Sequence, residues 1–456
     1  MFKIQNWNID AEDNSISFHF ECDVYGSFSE VIKLPEQADL SKFEGDQALH
    51  QMLNVAGVYL GVSYYKLTAA DQIFFSQYLS DEAKASIEKL YVDGLGEFYI
   101  RNDLSYPPHI DFSYNEAPEI QERQFEEEIQ KSIESVKATV AFGGGKDSHV
   151  SMTVLEKLGV NIDVVSITLA GSVQKTLQRL GHKPITFIER EIDPKLISLV
   201  KEGKGYNGHI PITAINSIIL SIYSYLVGND WIVFSNERGA SVPTMFHGDY
   251  KINHQYSKSI EFEKLYRNTL QQICGDKVEY FSFLRPFSEL WIAAYLAREA
   301  EVSKGCFSSC NRNFVFEGPN KLPEVKRWCG KCSKCVYTAL IVAPHISKSE
   351  FLEIFGADIL DDSDNIQVAK DLCGIGTQKP WECVGDFSDT ASCLFDLSTQ
   401  DEWRDSIVVK ELRDQIVKKY SDNFLADRFL SEISSRTDHF LPDQLSDVLK
   451  PQAFEA

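Results

Sequence analysis

The stretch from Lys137 to Val160, KATVAFGGGKDSHVSMTVLEKLGV, leaves few folds open to the chain that contains it. A short run rich in β-branched residues reads as a buried strand, three consecutive glycines make a turn, and apolar spacing then predicts a helix over 147–158. Strand, glycine turn and helix in that order begin a β-α-β unit, so a parallel sheet covered by helices is expected. The turn is also a phosphate cradle. Gly143, Gly144 and Gly145 carry no Cβ, so their amides can approach an anion closely, and the N-terminal partial charge of the helix points to the same place. Lys146 adds a mobile positive charge, Asp147 can hold Mg²⁺ directly or through water, and Ser148 can donate a hydroxyl hydrogen bond.

The alternation continues from about Ser135 to Phe283. ATVAF, DVVSIT, ITFIE and WIVFS are predicted strands, and 147–158, 172–180, 211–227 and 259–272 predicted helices. This is the pattern of an α/β protein with a doubly wound parallel sheet, whose ligand lies outside the carboxyl ends of the strands. The loops after ATVAF, DVVSIT and WIVFS should therefore meet at a nucleotide. Ser166 and Thr168 close the second strand and are candidate contacts, although side chains there can equally face the core. Ser235, Asn236 and Glu237 sit where the last strand would deliver them to the same nucleotide.

Three regions are expected. Residues 1–130 form an N-terminal α+β domain for substrate binding or dimerisation, strand-like at first (SISFHFECDVYG), then helical and aromatic from about Asp46 to Tyr91. DLSYPPHIDFSYNEAP breaks it, and the acidic QERQFEEEIQ reads as a solvated helix or linker. Residues 131–345 form the nucleotide domain, ending in the buried helix of YTALIVAPHI that Pro344 should terminate. Residues 346–456 form a mostly helical C-terminal region, with FLEIFGADILDD and SDVLK among its helical pieces.

Composition excludes some functions. A net charge of −22 and a pI near 4.9 oppose the basic face needed to grip a nucleic-acid backbone, while a small anionic ligand needs only a local cationic patch. No apolar run approaches a membrane span and MFKIQNWNIDAEDN is no signal peptide, so a cytoplasmic protein is expected.

Of ten cysteines, five cluster as Cys306-x3-Cys310-x18-Cys329-x2-Cys332-x2-Cys335. A C-x2-C turn binds one ion readily and earlier cysteines complete a tetrahedron, so four of the five should hold zinc, with an iron–sulfur cluster as the alternative. Cys306 or Cys310 is the spare. All-thiolate ligation leaves no open position, hence a structural role. Phe234 to Arg267 is dense in polar groups, among them His254 and Lys258. Its Asn253, His254, Gln255, Ser257, Lys258 and Ser259 precede a helix start that favours an anion, and Ser257 or Ser259 is a natural N-cap. GIGTQKPWECVGD, Gly374 to Asp386, reads as a stiff loop presenting Lys379, Glu382 and Cys383, where a thiolate can act as acid or base if a cation lowers its pKa.

AFGGGKDSHVS resembles the SGGxDS loop of the PP-loop, or N-type, ATP pyrophosphatases, with Phe142 where that family usually has Ser. Asp147 between Lys146 and Ser148 departs from a Walker A loop, which points to cleavage between the α and β phosphates. Taken in order, AFGGGKDSHVS, FSNERGAS, INHQYSKSIEFE, CGKCSKC and KPWECVG resemble the ATP-dependent UDP-N-acetylmuramoyl-L-alanyl-L-glutamate epimerases of peptidoglycan synthesis over most of the chain. That resemblance implies conversion of the terminal L-Glu of a UDP-linked muramoyl dipeptide to D-Glu through an adenylated carboxylate, with AMP and pyrophosphate released. It assigns ATP, Mg²⁺ and a structural Zn²⁺ as cofactors. It implies that Gly143 to Ser148 hold pyrophosphate and Mg²⁺, that Lys258 and His254 neutralise carboxylate or acyl phosphate, and that Cys383, Glu382 and His254 are the candidates for proton transfer. Two other readings remain open: an amide- or nitrile-forming ligase of the 7-cyano-7-deazaguanine synthase type, and a protein that binds ATP without turnover.

Overall fold

The computed structural model describes residues 1–115, 131–169, 171–181, 183–299, 307–314, 322–323, 326–376, 380, 382, 384–434 and 438–445. QERQFEEEIQ and SDVLK lie outside them, as do Cys306, Lys379 and Cys383.

In chain order the strands are β1 (Phe2–Asp10), β2 (Ser15–Cys22), β3 (Gly26–Lys33), β4 (Gln72–Phe75), β5 (Asp111–Tyr114), β6 (Lys137–Ala141), β7 (Asn161–Thr168), β8 (Thr186–Glu191), β9 (Trp231–Phe234), β10 (Met245–His247), β11 (Tyr250–Ile252) and β12 (Glu279–Ser282). Ten of them build one sheet in the order β12-β9-β6-β7-β8-β3-β2-β1-β4-β5, while β10 and β11 form a separate hairpin. From β12 to β8 every pair is parallel. Strand β3 then joins β8 antiparallel, setting Ile32 beside Arg190, and β3, β2 and β1 form an antiparallel meander. Strands β4 and β5 add to β1 in parallel. Between Asp46 and Tyr91, where the sequence reads as helical, β4 intervenes: a turn with Ala69 at φ +45° redirects the chain, and Ile73 and Phe75 bury against the sheet.

The helices are α1 (Gln47–Tyr65), α2 (Asp81–Val92), α3 (Gly96–Arg101), α4 (Lys146–Lys157), α5 (Gly171–Leu180), α6 (Pro194–Lys201), α7 (Ile212–Val227), α8 (Ile260–Cys274), α9 (Glu289–Arg298), α10 (Ser333–Val342), α11 (Lys348–Phe355), α12 (Ile366–Leu372), α13 (Phe387–Thr399), α14 (Ile407–Tyr420) and α15 (Asp422–Ser434). The C-terminal region is thus mostly helical, and α10 ends two residues before Pro344. No helix among the described residues is long and apolar enough to cross a membrane.

Alternate side chains of the central strands feed two cores, as a period of two requires of a sheet buried on both faces. Val140, Val164, Val233 and Phe281 pack with α4, α9 and α10, whereas Val165, Ile232, Phe234 and Tyr280 pack with α1, α7 and α8. Each such fully buried aliphatic or aromatic side chain contributes roughly 1.5–3 kcal/mol. The junction of the two halves of the sheet carries a buried ion pair. Arg190 Nε donates to Glu30 Oε1 at 2.5 Å, and its Nη2 donates to Ser63 Oγ at 3.0 Å.

Candidate active site

Strands β6, β7 and β9 end at a cavity of about 380 Å³, within the range of roughly 300–1,000 Å³ usual for small-molecule sites. Ala141, Phe142, Gly143, Gly145, Lys146, Asp147 and Ser148 line it. Gly144 holds the turn: at φ +72° it occupies the left-handed region, and a Cβ there would stand 2.9 Å from Leu180. A Cβ on Gly143 would meet nothing within 4 Å, so the backbone there is open to close approach. Helix α4 starts at Lys146, aiming its amides at the turn, and Ser148 Oγ donates to Gly145 O at 3.0 Å. Phe142 is buried, edge-on to His149.

Ser166 also lines the cavity. Thr168 shares its strand face but lies outside the lining, because Gln174 of α5 covers it and donates to its Oγ1 at 3.2 Å. Ser235, Asn236 and Glu237 are all in the wall, each fixed by a neighbour. Ser235 donates to Ser151 Oγ at 2.8 Å, Asn236 to Ser282 Oγ at 2.9 Å, and Glu237 accepts the Ala240 amide at 2.9 Å.

Lys146 is buried between two carboxylates, Asp147 at 2.5 Å and Glu289. Glu289 heads α9, whose N-cap Ser288 accepts from Trp291 N and donates to Glu432 O at 2.7 Å, so the C-terminal helices hold Glu289 in place. Burial pushes the Glu289 carboxyl up to about 8, with Asp147 and Glu237 adding to the rise and Lys146 opposing it. Burial likewise raises Glu237, helped by Asp147. Asp147, Glu237 and Glu289 thus bring three acidic groups to the wall around one lysine, which leaves this end of the cavity short of positive charge. Sequence reasoning did not find Glu289, since a lone Glu at the head of an apolar helix has no periodicity or spacing to mark it.

Two further segments complete the cavity. Gln255 and Lys258 reach it from the turn before α8, where Ser259, one of the two serines expected, is the N-cap and accepts Phe262 N at 3.2 Å. His254 stands just outside the lining, and its Nδ1 contacts Glu97 Oε2 of α3. Ser308, Ser309, Lys334, Tyr337 and Thr338 form another part of the wall. The Tyr337 hydroxyl is buried without a hydrogen-bond partner among the described residues. It lies so close to Gly385 that a Cβ there would collide with it, which packs Gly385 against this wall. In the same KPWECVG segment Glu382 accepts from Asn311 Nδ2 at 2.8 Å.

The wall containing Lys334 and Tyr337 is fastened by cysteines. Cys310, Cys329, Cys332 and Cys335 bring their sulfurs within 4.8 Å of one another, a group able to hold a metal ion. Sulfur separations of 3.5, 3.7 and 4.0 Å bracket the value of about 3.8 Å that tetrahedral Zn–S bonds of 2.3 Å would give. Backbone amides of Lys331 and Cys332 donate to Cys329 Sγ at 3.5 and 3.3 Å, supporting a thiolate. Cys310 follows Ser309 directly and Cys335 follows Lys334, so the centre ties together the two segments of the wall.

The family model described as the MurL N-terminal domain matches residues 1–283, and that of the MurL C-terminal domain matches 306–425. A protein of Xanthomonas oryzae pv. oryzae named UDP-N-acetyl-alpha-D-muramoyl-L-alanyl-L-glutamate epimerase is 33% identical over 97% of this chain and 95% of its own. Proteins with the same name from a Micromonospora species and from Salinispora tropica are 34% and 35% identical, over 91% and 85% of this chain and 90% and 82% of theirs.

Proposed function

The chain belongs to the MurL family, and from that premise we propose how its cavity inverts the terminal glutamate of UDP-N-acetylmuramoyl-L-alanyl-L-glutamate, a peptidoglycan precursor. The observation that carries the reading is the meeting of the glycine turn, Lys146 and three carboxylates at the ends of β6, β7 and β9. That arrangement fits a PP-loop fold with ATP as a substrate, its phosphates on the amides of Gly143 to Gly145 and on α4, and its nucleoside toward Ser166 and Ser235.

A proton α to a free carboxylate is very hard to remove, because the product is a dianion. In the proposed reaction the substrate carboxylate oxygen bonds to the α-phosphorus of ATP as the α–β anhydride bond breaks and pyrophosphate leaves. Lys146 and the turn hold the departing pyrophosphate, and Lys258 offsets charge at the acyl phosphate. Asp147 is the residue that would hold Mg²⁺, which when bound would supply screening of the phosphate charge. The mixed anhydride makes the α proton acidic enough to leave from one face and a proton to return on the other. His254 serves one face, and the loop of Glu382 and Cys383 serves the other. Water then displaces AMP. The cysteine centre, filled by zinc, acts structurally on the wall that bears Lys334 and Tyr337. A reaction that consumes ATP and a UDP-linked substrate fits a cytoplasmic protein.

Incubation with ATP, Mg²⁺ and the L-glutamyl substrate, with no amine added, followed by chiral analysis of released glutamate tests this. D-Glu accompanied by AMP and pyrophosphate supports it; retention of L-Glu, or a new amide, contradicts it.

A further inference from the structure

Glu97, 3% exposed, belongs to a helix more than 150 residues before the loop it touches. One carboxylate oxygen accepts from Arg101 Nη1 at 3.1 Å, and the other contacts His254 Nδ1 and lies 3.9 Å from His209 Nδ1. The two imidazole rings lie 4.2 Å apart between centroids. The loop bearing His254 is rigid: its amide donates to Thr244 Oγ1 at 3.0 Å, and Asn253 donates to Ala240 O at 2.9 Å while accepting Gln255 N at 2.8 Å. The next residue, Gln255, is already in the cavity wall.

We propose that Glu97 is a positioning residue for inversion, acting through His254. The assignment rests on the epimerase reading above. An ionised carboxylate only accepts hydrogen bonds, so Nδ1 of His254 carries the proton and proton exchange falls to Nε2. The same logic orients the histidine of an acid–base triad. In the forward step Nε2 takes the α proton of the mixed anhydride: the C–H bond breaks, an N–H bond forms, and the electron pair moves to the carbonyl oxygen. Protonation of the carbon by the group on the other face completes the inversion, and Glu97 stabilises the imidazolium that results.

Glu97, His209 and His254 each bring a potential ligand atom within 4.8 Å of the others, so metal content is read alongside activity in the test. Arg101 on α3 pairs with Glu97, while Lys66 after α1 and Lys258 before α8 act on His209. Burial and His254 push the His209 imidazole down to about 4, so it stays neutral beside its neighbour. For Glu97 burial opposes ionisation, but the hydrogen bonds from His254 and Arg101 outweigh it and keep the carboxyl below its ordinary range.

The test compares wild type with Glu97→Gln and Glu97→Asp in D₂O, starting separately from the L- and D-glutamyl epimers. AMP release reports activation, and α-deuterium uptake reports proton transfer. The expected result for Glu97→Gln is uptake at least about 10²-fold slower from one epimer, with AMP release largely kept, zinc content unchanged and the acid limb of the rate profile displaced; Glu97→Asp recovers part of the uptake. Equal loss of AMP release and uptake, unchanged uptake, or loss of one metal equivalent overturns the proposal. If Glu97→Gln does not fold, His254→Gln is read by the same two measurements and the same criteria. A wild type that forms no AMP contradicts the epimerase reading instead, so the two failures are distinguishable.

Discussion

Lys146 and Glu289, 143 residues apart in sequence, meet as a buried hydrogen-bonded pair with side chains 4% and 8% exposed. Asp147 pairs with the same ammonium, and the Glu289 carboxyl sits near 8 because burial, with the charges of Asp147 and Glu237, favours its protonated form. The folded value lies above the ordinary 4.5, so between pH 4.5 and 8 the folded chain holds a proton that the unfolded chain gives up, and this group's contribution to stability falls as pH rises through that window. Calorimetry of Mg·ATP binding at pH 7 in buffers of different protonation enthalpy should register release of up to about one proton. Glu289→Gln should abolish that release.

The cysteine centre gives a second expectation. Elemental analysis should find one zinc per chain, retained by Cys306→Ser and lost by Cys310→Ser or Cys332→Ser. Metal loss should lower Tm by about 10 °C or more, since structural zinc contributes directly to folding free energy.

Glu30 and Arg190 stitch the N-terminal strands to the parallel half of the sheet at 0% and 2% exposure. Removing one partner leaves a buried charge unpaired, so Glu30→Ala should cost about 3–5 kcal/mol in denaturant unfolding. The double replacement Glu30→Met with Arg190→Met should cost much less than the sum of the single changes.

His345 stacks on Phe429, and its buried Nε2 has no hydrogen-bond partner among the described residues. Burial, with Arg298 nearby, pushes the imidazole down to about 4 from 6.5. Between those values the unfolded chain binds the extra proton, so stability falls as pH drops from 6.5 to 4, by up to about 3 kcal/mol from this residue. Thermal unfolding of His345→Leu across that range should show a shallower loss than wild type.

The strand, glycine turn and helix around Lys146 are legible in sequence because strand and helix periods switch at a glycine run, and the boundaries agree to within a residue or two. The cysteine set is legible because its spacing is local. Glu97, His209 and Glu289 are not, because each is a single polar residue whose meaning depends on elements more than forty residues away in sequence. Strand β4 is hidden between helices, since a four-residue run of Gln, Ile and two Phe fits either period and only its pairing with β1 decides it.

Handing the adenylyl group of ATP to the glutamyl carboxylate is the central claim, and an isotope reads it directly. With ¹⁸O in the terminal α-carboxylate of the L-glutamyl substrate, AMP recovered after turnover in ordinary water should carry ¹⁸O, because the carboxylate oxygen stays on phosphorus when water releases the acyl group. D-Glu formed alongside unlabelled AMP, or alongside ADP and phosphate, would contradict the account.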